Sequence, residues 1–234
     1  MRPIITLAAS AMAMFLLGSI YAYGVLLPAL MAAFGWERST AALPHAVLLF
    51  VYAVGMGIGG ILEHRLRAQI SAAVGGALFG AGLWLAAQLP SLSGLVLAYG
   101  VLSGLGFGFT YVAAVTTAMR ALPLRRGLAA GVVVGAFGLG AFVWAPLAQR
   151  LLPPLGWDGI FSRFGLLALI LIPLLSLGIR APRWSVVHAT VARGMTLAQA
   201  LRTAPFWLLF ADYTLATAVG LLLLAHLVTY GISR

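Results

Sequence analysis

The chain has 234 residues, of which 63% are hydrophobic and 8% are charged. A soluble domain carries about a quarter charged residues because its surface faces water, so this composition excludes a soluble protein. No cysteine is present, which excludes disulfides and thiol nucleophiles, and all fourteen basic residues are arginine, which excludes a lysine Schiff base. The net charge of +10 does not indicate a nucleic-acid partner, because the arginines are spread between apolar runs.

Long apolar runs predict membrane-spanning α-helices. A run of about 20 residues, rising 1.5 Å per residue, crosses the roughly 30 Å hydrocarbon core, and no barrel-type alternation is present. In chain order the predicted helices are Ile4–Leu27, Ala41–Leu62, Ile70–Leu89, Gly94–Ala118, Gly127–Leu152, Gly159–Ile179 and Pro205–Tyr230. The first is longer than a signal-peptide core, so we expect it to be retained as a span.

The spacing of these helices predicts the domain organisation. Residues 1–179 read as a six-helix transmembrane repeat, residues 180–203 as a basic cytosolic connector, and residues 204–234 as a seventh helix. The predicted fold is therefore an all-α integral membrane bundle of six helices, plus the first helix of a second, missing repeat. Transporters built from two parallel six-helix halves have this plan.

The arginines predict the orientation. If the N-terminus is cytosolic, inner loops and ends carry ten arginines and outer ones carry four. Cytosolic loops of membrane proteins are enriched in arginine and lysine. We therefore predict a multi-pass protein of the cell inner (plasma) membrane with a cytosolic N-terminus, in contact with membrane lipids.

Glycines recur at four-residue spacing in several predicted helices. The fourth contains Gly100, Gly104 and Gly108, and the fifth contains Gly131 and Gly135. Because a small residue every fourth position lets another helix backbone approach closely, we interpret these as helix-packing glycines. The predicted helix at residues 159–179 lacks such a ladder, and we expect it to face lipid.

The start of the fifth predicted helix has the most specific pattern. It reads Arg125-Arg126-Gly-Leu-Ala-Ala-Gly131-Val-Val-Val-Gly135, with Ala145-Pro146 following. A basic pair followed by a run of small residues resembles the fifth-helix signature of the major facilitator superfamily. Within it, the pattern is most similar to the branch of oxalate/formate antiporters and monocarboxylate transporters.

Three further segments are similar to the same branch. They are residues 21–25 (Tyr-Ala-Tyr-Gly-Val), residues 34–36 (Phe-Gly-Trp) and residues 196–207, an amphipathic approach to the seventh helix. The loop after the second helix resembles the superfamily's cytosolic gating motif, although Leu66 stands where that motif has a glycine. The gating candidates implied by the resemblance are Gly59, Glu63, Arg67, Arg125 and Arg126.

In the resembled fold, helices 1, 4 and 5 line a central cavity. The substrate-cavity candidates on these helices are Tyr21, Tyr23, Tyr111 and Trp144. Phenols can donate hydrogen bonds to a carboxylate without carrying a full charge, which suits a small organic acid. The alternative for each residue is membrane-interface anchoring or plain packing.

Two titratable residues of the seventh helix are candidates for proton coupling or an ion pair. Asp212 is the one acid inside a predicted span, where an ionised carboxylate costs about 3 kcal/mol, and its alternative is a structural pair. His226, like His45, lies near a predicted helix end, and either could carry a proton or serve as a hydrogen-bonded interfacial side chain.

Together these patterns predict a secondary transporter of small organic anions, mono- or dicarboxylates, working by alternating access with proton symport or anion exchange. The first alternative is a truncated, transport-inactive fragment or a half-transporter that needs a complementary C-terminal half. The second is a facilitator-type drug exporter. We expect no enzyme activity, no cofactor and no metal, since the sequence contains no nucleophile elbow, phosphate loop or zinc spacing.

Overall fold

A computed structural model describes residues 3–63, 67–180, 197–215 and 219, with the side chains of all but residues 63, 197 and 198. The chain divides into two units, Met1–Pro182 and Arg183–Arg234. The described residues are mostly helical and include no strand.

The helices of the first unit follow the apolar runs of the sequence. They are α1 (Pro3–Phe34), α2 (Arg38–Glu63), α3 (Ala68–Gln88), α4 (Leu92–Ala121) and the long stretch Arg126–Ser176, preceded by a 3₁₀ turn at Pro123–Arg125. Among the described residues, five helical stretches are long and apolar enough to cross a membrane. The predicted all-α membrane fold is confirmed.

The long stretch breaks at Gly156. This residue has φ 69° and ψ 173°, a conformation that is accessible almost only to glycine. The break divides the stretch into α5 (residues 126–155) and α6 (residues 157–176), each long enough to cross the roughly 30 Å hydrocarbon core. It falls within the predicted connection between the fifth and sixth helices.

The first helix is longer than predicted. The sequence predicts an end at Leu27, but the helix continues through Pro28 to Phe34. Proline is tolerated inside membrane helices, where neighbouring groups satisfy the carbonyl that it leaves free. The helix ends instead at Gly35, whose φ of 65° gives the left-handed cap that stops many helices.

Two spans contain irregular turns. In α1, Gly18–Ala22 forms a 3₁₀ stretch, and in α4, Val96–Ser103 forms a π-helical stretch. Such interruptions inside a longer helix are often found at hinges and functional sites.

The glycines of α4 lie against α2. A Cβ built on Gly104 would lie 3.0 Å from the Leu48 carbonyl oxygen, and one on Gly108 would lie 2.6 Å from the Tyr52 carbonyl oxygen. Gly100 is similarly close to α2. The backbones of α2 and α4 can pack at this distance only because these positions have no side chain.

The middle helix α3 packs against α4 on one side and α6 on the other. A Cβ on Gly75 would lie 2.7 Å from the Gly106 carbonyl oxygen of α4, and one on Gly80 would lie 2.7 Å from the Gly165 carbonyl oxygen of α6. The sequence predicts that the sixth helix faces lipid, but in the structure one side of α6 packs against α3. The glycines that allow its close approach lie mainly on α3, which is why α6 itself shows no ladder.

The glycines of α5 have a different environment. A Cβ built on Gly131 or Gly135 would have no heavy atom within 4 Å, so no described helix packs against them. Further along α5, Gly140 lies in direct backbone contact with Gly18 of α1. The predicted packing partner of Gly131 and Gly135 is therefore not among the described residues.

In the second unit, the structure describes a helical turn at Leu197–Ala200 and a helix, α7, at residues 204–215. The Trp207 indole N–H donates to the Leu201 carbonyl oxygen at 2.9 Å, which ties the start of α7 to the preceding turn. Most of the predicted seventh helix, with His226, lies outside the described residues.

Candidate functional site

Tyr23, His45 and Tyr99 form a stack of three rings, the ring stack, contributed by α1, α2 and α4. The centroid of the Tyr23 ring lies 5.1 Å from that of His45 and 4.9 Å from that of Tyr99, with interplanar angles of 14° and 10°. The Tyr23 hydroxyl donates to the Ala41 carbonyl oxygen at 2.6 Å, and His45 Nδ1 lies 2.8 Å from the Tyr99 hydroxyl oxygen. Tyr23 and Tyr99 are 3% and 0% exposed. Tyr23 thus lies inside the bundle with its hydroxyl bonded to backbone.

Irregular turns position the ring stack. Tyr99 lies within the π-helical stretch, and the next residue, Gly100, lets α2 approach so closely that a Cβ there would lie 3.1 Å from the Pro44 carbonyl oxygen. Tyr23 directly follows the 3₁₀ stretch of α1. Because Tyr99 lies within one irregular stretch and Tyr23 directly follows the other, a change of helical geometry at either stretch would move a member of the stack.

Trp144 of α5 joins α5 to α1 rather than facing an open space. Its indole Nε1–H donates to the Phe15 carbonyl oxygen at 2.8 Å, and its ring contacts those of Phe15 and Phe164 at centroid distances of 5.5 and 4.9 Å. The side chain is 7% exposed. The hydrogen bond reaches α1 one turn before its 3₁₀ stretch, beside the Gly18–Gly140 contact, and so supports that irregular segment.

The other two predicted cavity residues belong to a second aromatic group, the tyrosine cluster, made of Tyr21, Tyr52, Tyr111, Phe107 and Phe137. The Phe107 ring, 1% exposed, lies 4.8 Å from that of Tyr52, 5.9 Å from Tyr111 and 5.5 Å from Phe137. The Tyr21 ring lies 5.2 Å from Phe137. All three tyrosines are partly exposed. The cluster therefore places three partly exposed tyrosines from α1, α2 and α4 around the rings of Phe107 and Phe137.

The gating candidates lie at helix ends as far as the structure describes them. A Cβ built on Gly59 would lie 3.2 Å from Phe109 of α4, so Gly59 is a packing position. Arg67 directly precedes α3 and is exposed, and Arg125 and Arg126 are exposed at the start of α5. The side chain of Glu63 lies outside the described residues. Because the N-terminal end of a helix carries partial positive charge, these arginines do not stabilise the helices that they precede. Their exposed position fits contact with anionic lipid headgroups instead.

Both proton-coupling candidates belong to the second unit of the chain. Asp212 lies in α7 of the second unit and is exposed there. His226 lies outside the described residues. Both remain predictions.

Three polar residues of these groups are not among the site residues predicted from sequence. The sequence patterns do not single out Tyr52 or Tyr99, and they mark His45 only as a residue near a helix end that could carry a proton or serve as a hydrogen-bonded interfacial side chain. Hydropathy could have placed all three on spans, but their faces depend on the rotation of α2 and on the π-helical stretch of α4. No periodic signal in the sequence marks that stretch.

The tyrosine cluster is the described feature best suited to bind a small polar ligand. A phenol donates and accepts hydrogen bonds, and the aromatic faces beside it accommodate an alkyl chain. No member of the cluster carries a charge. The cluster therefore offers hydrogen-bonding groups and apolar contacts, but no charge.

Comparison with known proteins identifies relatives over nearly the whole chain. An uncharacterised MFS-type transporter, YhjX, of Escherichia coli (strain K12) is 29% identical over 220 residues, covering 93% of this chain and 55% of the relative. The oxalate:formate antiporter of Oxalobacter formigenes is 33% identical over 176 residues, 74% of this chain and 42% of the relative. Human monocarboxylate transporter 12 is 31% identical over 121 residues, 52% of this chain and 23% of the relative.

The chain spans about half the length, or less, of the curated relatives that it matches. The chain has long apolar helices that pack closely at glycines and carry arginines near their ends. These features agree with a multi-pass membrane protein of the same kind as these relatives. The sequence profile of the Major Facilitator Superfamily matches residues 7–234, and the chain belongs to this family of membrane transporters.

Proposed function

We propose that this chain forms the N-terminal six-helix part of a secondary transporter that moves small mono- or dicarboxylates by alternating access. The observation that carries the proposal is the tyrosine cluster, with partly exposed tyrosines from three helices around Phe107 and Phe137. Two relatives, an oxalate:formate antiporter and a monocarboxylate transporter, support the same class of cargo.

The chemistry of the cluster favours a small carboxylate over a bulky hydrophobic cation. Phenol O–H groups donate to carboxylate oxygens, and the edges of aromatic rings are also attractive to anions, whereas a cation in this setting prefers an acidic partner. The cluster contains no acid. This separates the proposal from the drug-exporter alternative.

The charge that balances the anion is proposed to come from a second half. The resemblance to carboxylate antiporters implies basic residues in helices of the second six-helix repeat, after the seventh helix. On the present chain, the face of α5 that carries Gly131 and Gly135 has no described partner. We propose that a complementary C-terminal half packs there and completes the anion path.

The energy source and orientation are further parts of the proposal. Exchange against a second anion needs no titratable residue, while proton symport would use Asp212 or His226 of the seventh helix. The ten-to-four arginine distribution supports insertion in the inner membrane with the N-terminus in the cytosol.

The test is transport in proteoliposomes. The chain would be reconstituted alone and together with the C-terminal half of YhjX, and uptake of labelled oxalate, formate and lactate would be measured. Tyr52→Phe with Tyr111→Phe should lower uptake at least tenfold, since both hydroxyl donors are lost, while Tyr213→Phe on α7 serves as the matched control.

Three results would separate the alternatives. Carboxylate uptake that depends on the tyrosine hydroxyls supports the proposal. Efflux of a hydrophobic cation such as ethidium, with no carboxylate flux, favours a drug exporter. Absence of any flux in both preparations favours a transport-inactive chain and overturns the proposal.

A further inference from the structure

The outward sides of α3 and α6 lie next to each other and form one surface, the α3–α6 face, which contains no member of either aromatic group. The exposed residues of each helix recur every three or four positions, so each helix turns a single stripe outward. Because both helices are long and apolar enough to cross a membrane, this face lies against lipid acyl chains. The apolar residues of the face toward the start of α3 and the end of α6 are 46–60% exposed, and they are Ile70, Val74, Ile170, Leu174 and Leu177.

Hydrogen bonds fix the end of this face at which α3 begins and α6 ends. The Gln69 side chain donates from Nε2 to the Leu177 carbonyl oxygen at 2.9 Å, which joins α3 to the end of α6. Arg180 donates from Nε to the same carbonyl oxygen at 2.8 Å. The Thr6 hydroxyl of α1 donates to the Arg180 carbonyl oxygen at 3.4 Å, and the neighbouring Ile179 is 0% exposed. Both the backbone and the guanidinium of Arg180 are therefore held at the edge of the face.

The same end of the face is positively charged. Arg67 directly precedes α3, and both Arg67 and Arg180 are exposed. Among the described side chains of the first unit, the acids Glu37 and Asp158 lie at the opposite end, before α2 and at the start of α6. The side chain of Glu63 lies outside the described residues. A guanidinium presents several N–H donors in one plane, which suits the oxygens of a phosphate.

We propose that the α3–α6 face is a binding site for an anionic phospholipid, whose phosphate contacts Arg67 and Arg180. An acyl chain of this lipid lies along the apolar stripes. Val74 is seven residues after Arg67, so it lies about 10 Å deeper along α3. One leaflet contributes roughly 15 Å of hydrocarbon, so the arginines and the apolar residues match the head and the chain of one lipid.

The combination of charge and apolar surface identifies the occupant. A free phosphate would contact the arginines but would leave the apolar stripes unused, whereas a neutral lipid would cover the stripes without balancing the two positive charges. The lipid bridges α3 and α6 at the end where Gln69 already joins them, so it holds the two helices together. This inference does not depend on the proposed transport of carboxylates.

The experiment measures which lipid lies beside the face in the whole chain. Because the chain has no cysteine, Val74→Cys can carry a single fluorophore, and Val54→Cys on α2 is the matched control. The two valines are 47% and 45% exposed, and both lie in the half of the membrane at which α3 begins and α2 ends. Each labelled chain is reconstituted in phosphatidylcholine bilayers with a minor fraction of phosphatidylglycerol. Either lipid is brominated in turn, so that it quenches the fluorophore when it is adjacent.

Beside position 74 we expect phosphatidylglycerol to be preferred over phosphatidylcholine roughly 25-fold, since each arginine near an anionic group contributes about a factor of five. Beside position 54 the two lipids should quench almost equally. Arg67→Gln combined with Arg180→Gln should lower the preference at position 74 to the value at position 54. If this double variant does not fold, the comparison of positions 74 and 54 in the otherwise unchanged chain decides.

Three results would overturn the inference. The first is equal quenching by the two lipids at position 74, and the second is a preference that survives the loss of both arginines. The third is a label at position 74 that neither lipid quenches, because protein would then cover the face. No flux is measured, so each of these results leaves the proposed function untouched.

Discussion

The contact between α1 and α5 gives the sharpest stability prediction. We predict that Gly18→Ala forces the two helices apart, whereas Gly24→Ala, the same change on the same helix, does not. A Cβ at position 18 would lie 2.6 Å from the Phe137 carbonyl oxygen, while a Cβ at position 24 would have no heavy atom within 4 Å. To restore an ordinary contact distance near 3.4 Å, α1 and α5 have to move apart by roughly 0.8 Å where they cross.

The expected magnitude combines two effects. Overpacking of this kind costs about 2 kcal/mol. The separation also weakens the hydrogen bond from Trp144 Nε1 to the Phe15 carbonyl oxygen, which contributes about 1 kcal/mol. Gly18→Ala should therefore destabilise the bundle by about 3 kcal/mol, a change of roughly 100-fold in the unfolding equilibrium. Gly24→Ala should be neutral or stabilising by up to about 1 kcal/mol, because alanine favours the helix.

The measurement is equilibrium unfolding of the chain in bicelles by added sodium dodecyl sulfate, followed by tryptophan fluorescence. The free energy of unfolding is compared for wild type and both variants. Equal values for Gly18→Ala and Gly24→Ala would show that α1 and α5 do not approach each other as described. Trp144 would then not support α1 either.

Three further predictions use the same preparation. Trp144→Phe keeps the aromatic contacts but loses the indole donor, so unfolding should become easier by about 1 kcal/mol, and an unchanged midpoint would contradict the bond to α1. Gly156→Ala has to adopt φ 69°, so it should destabilise the connection between α5 and α6 by about 1–3 kcal/mol in the same titration; no effect would mean that the break is absent. Because the chain has no native cysteine, Tyr111→Cys should react with a membrane-impermeant maleimide and Tyr99→Cys should not; the reverse order would refute the proposed site at the tyrosine cluster.

The helices of the first unit could be predicted because burial in hydrocarbon requires long apolar runs, whatever the detailed packing. Their ends were less predictable. Pro28 indicates a helix end by the rules of soluble proteins, but inside a membrane the helix continues until Gly35 provides a left-handed cap. Gly156 lies within the predicted connection, but its role as the break could not be predicted, because its conformation is not visible in the sequence.

The candidate site could be predicted only in part, because hydropathy shows that a residue lies on a span and not which way it faces. Tyr21 and Tyr111 lie in a partly exposed cluster, while Tyr23 and Trp144, chosen by the same reasoning, are buried with their polar atoms bonded to backbone carbonyls. Likewise, the glycine ladders of α4 and α5 are equivalent in sequence, but only that of α4 has a described neighbour.

The double packing of α3 has a consequence for the order of assembly during synthesis. The glycines of α3 that contact α6 are translated about 90 residues before their partners, since Gly80 lies against Gly165. At about 5–20 residues per second, α3 stays in the membrane for roughly 5–20 s with an open backbone groove. During that interval another small-residue helix can occupy the groove in place of α6. Slowing translation between α4 and α6 should therefore lower the yield of correctly assembled protein more than slowing it after α6.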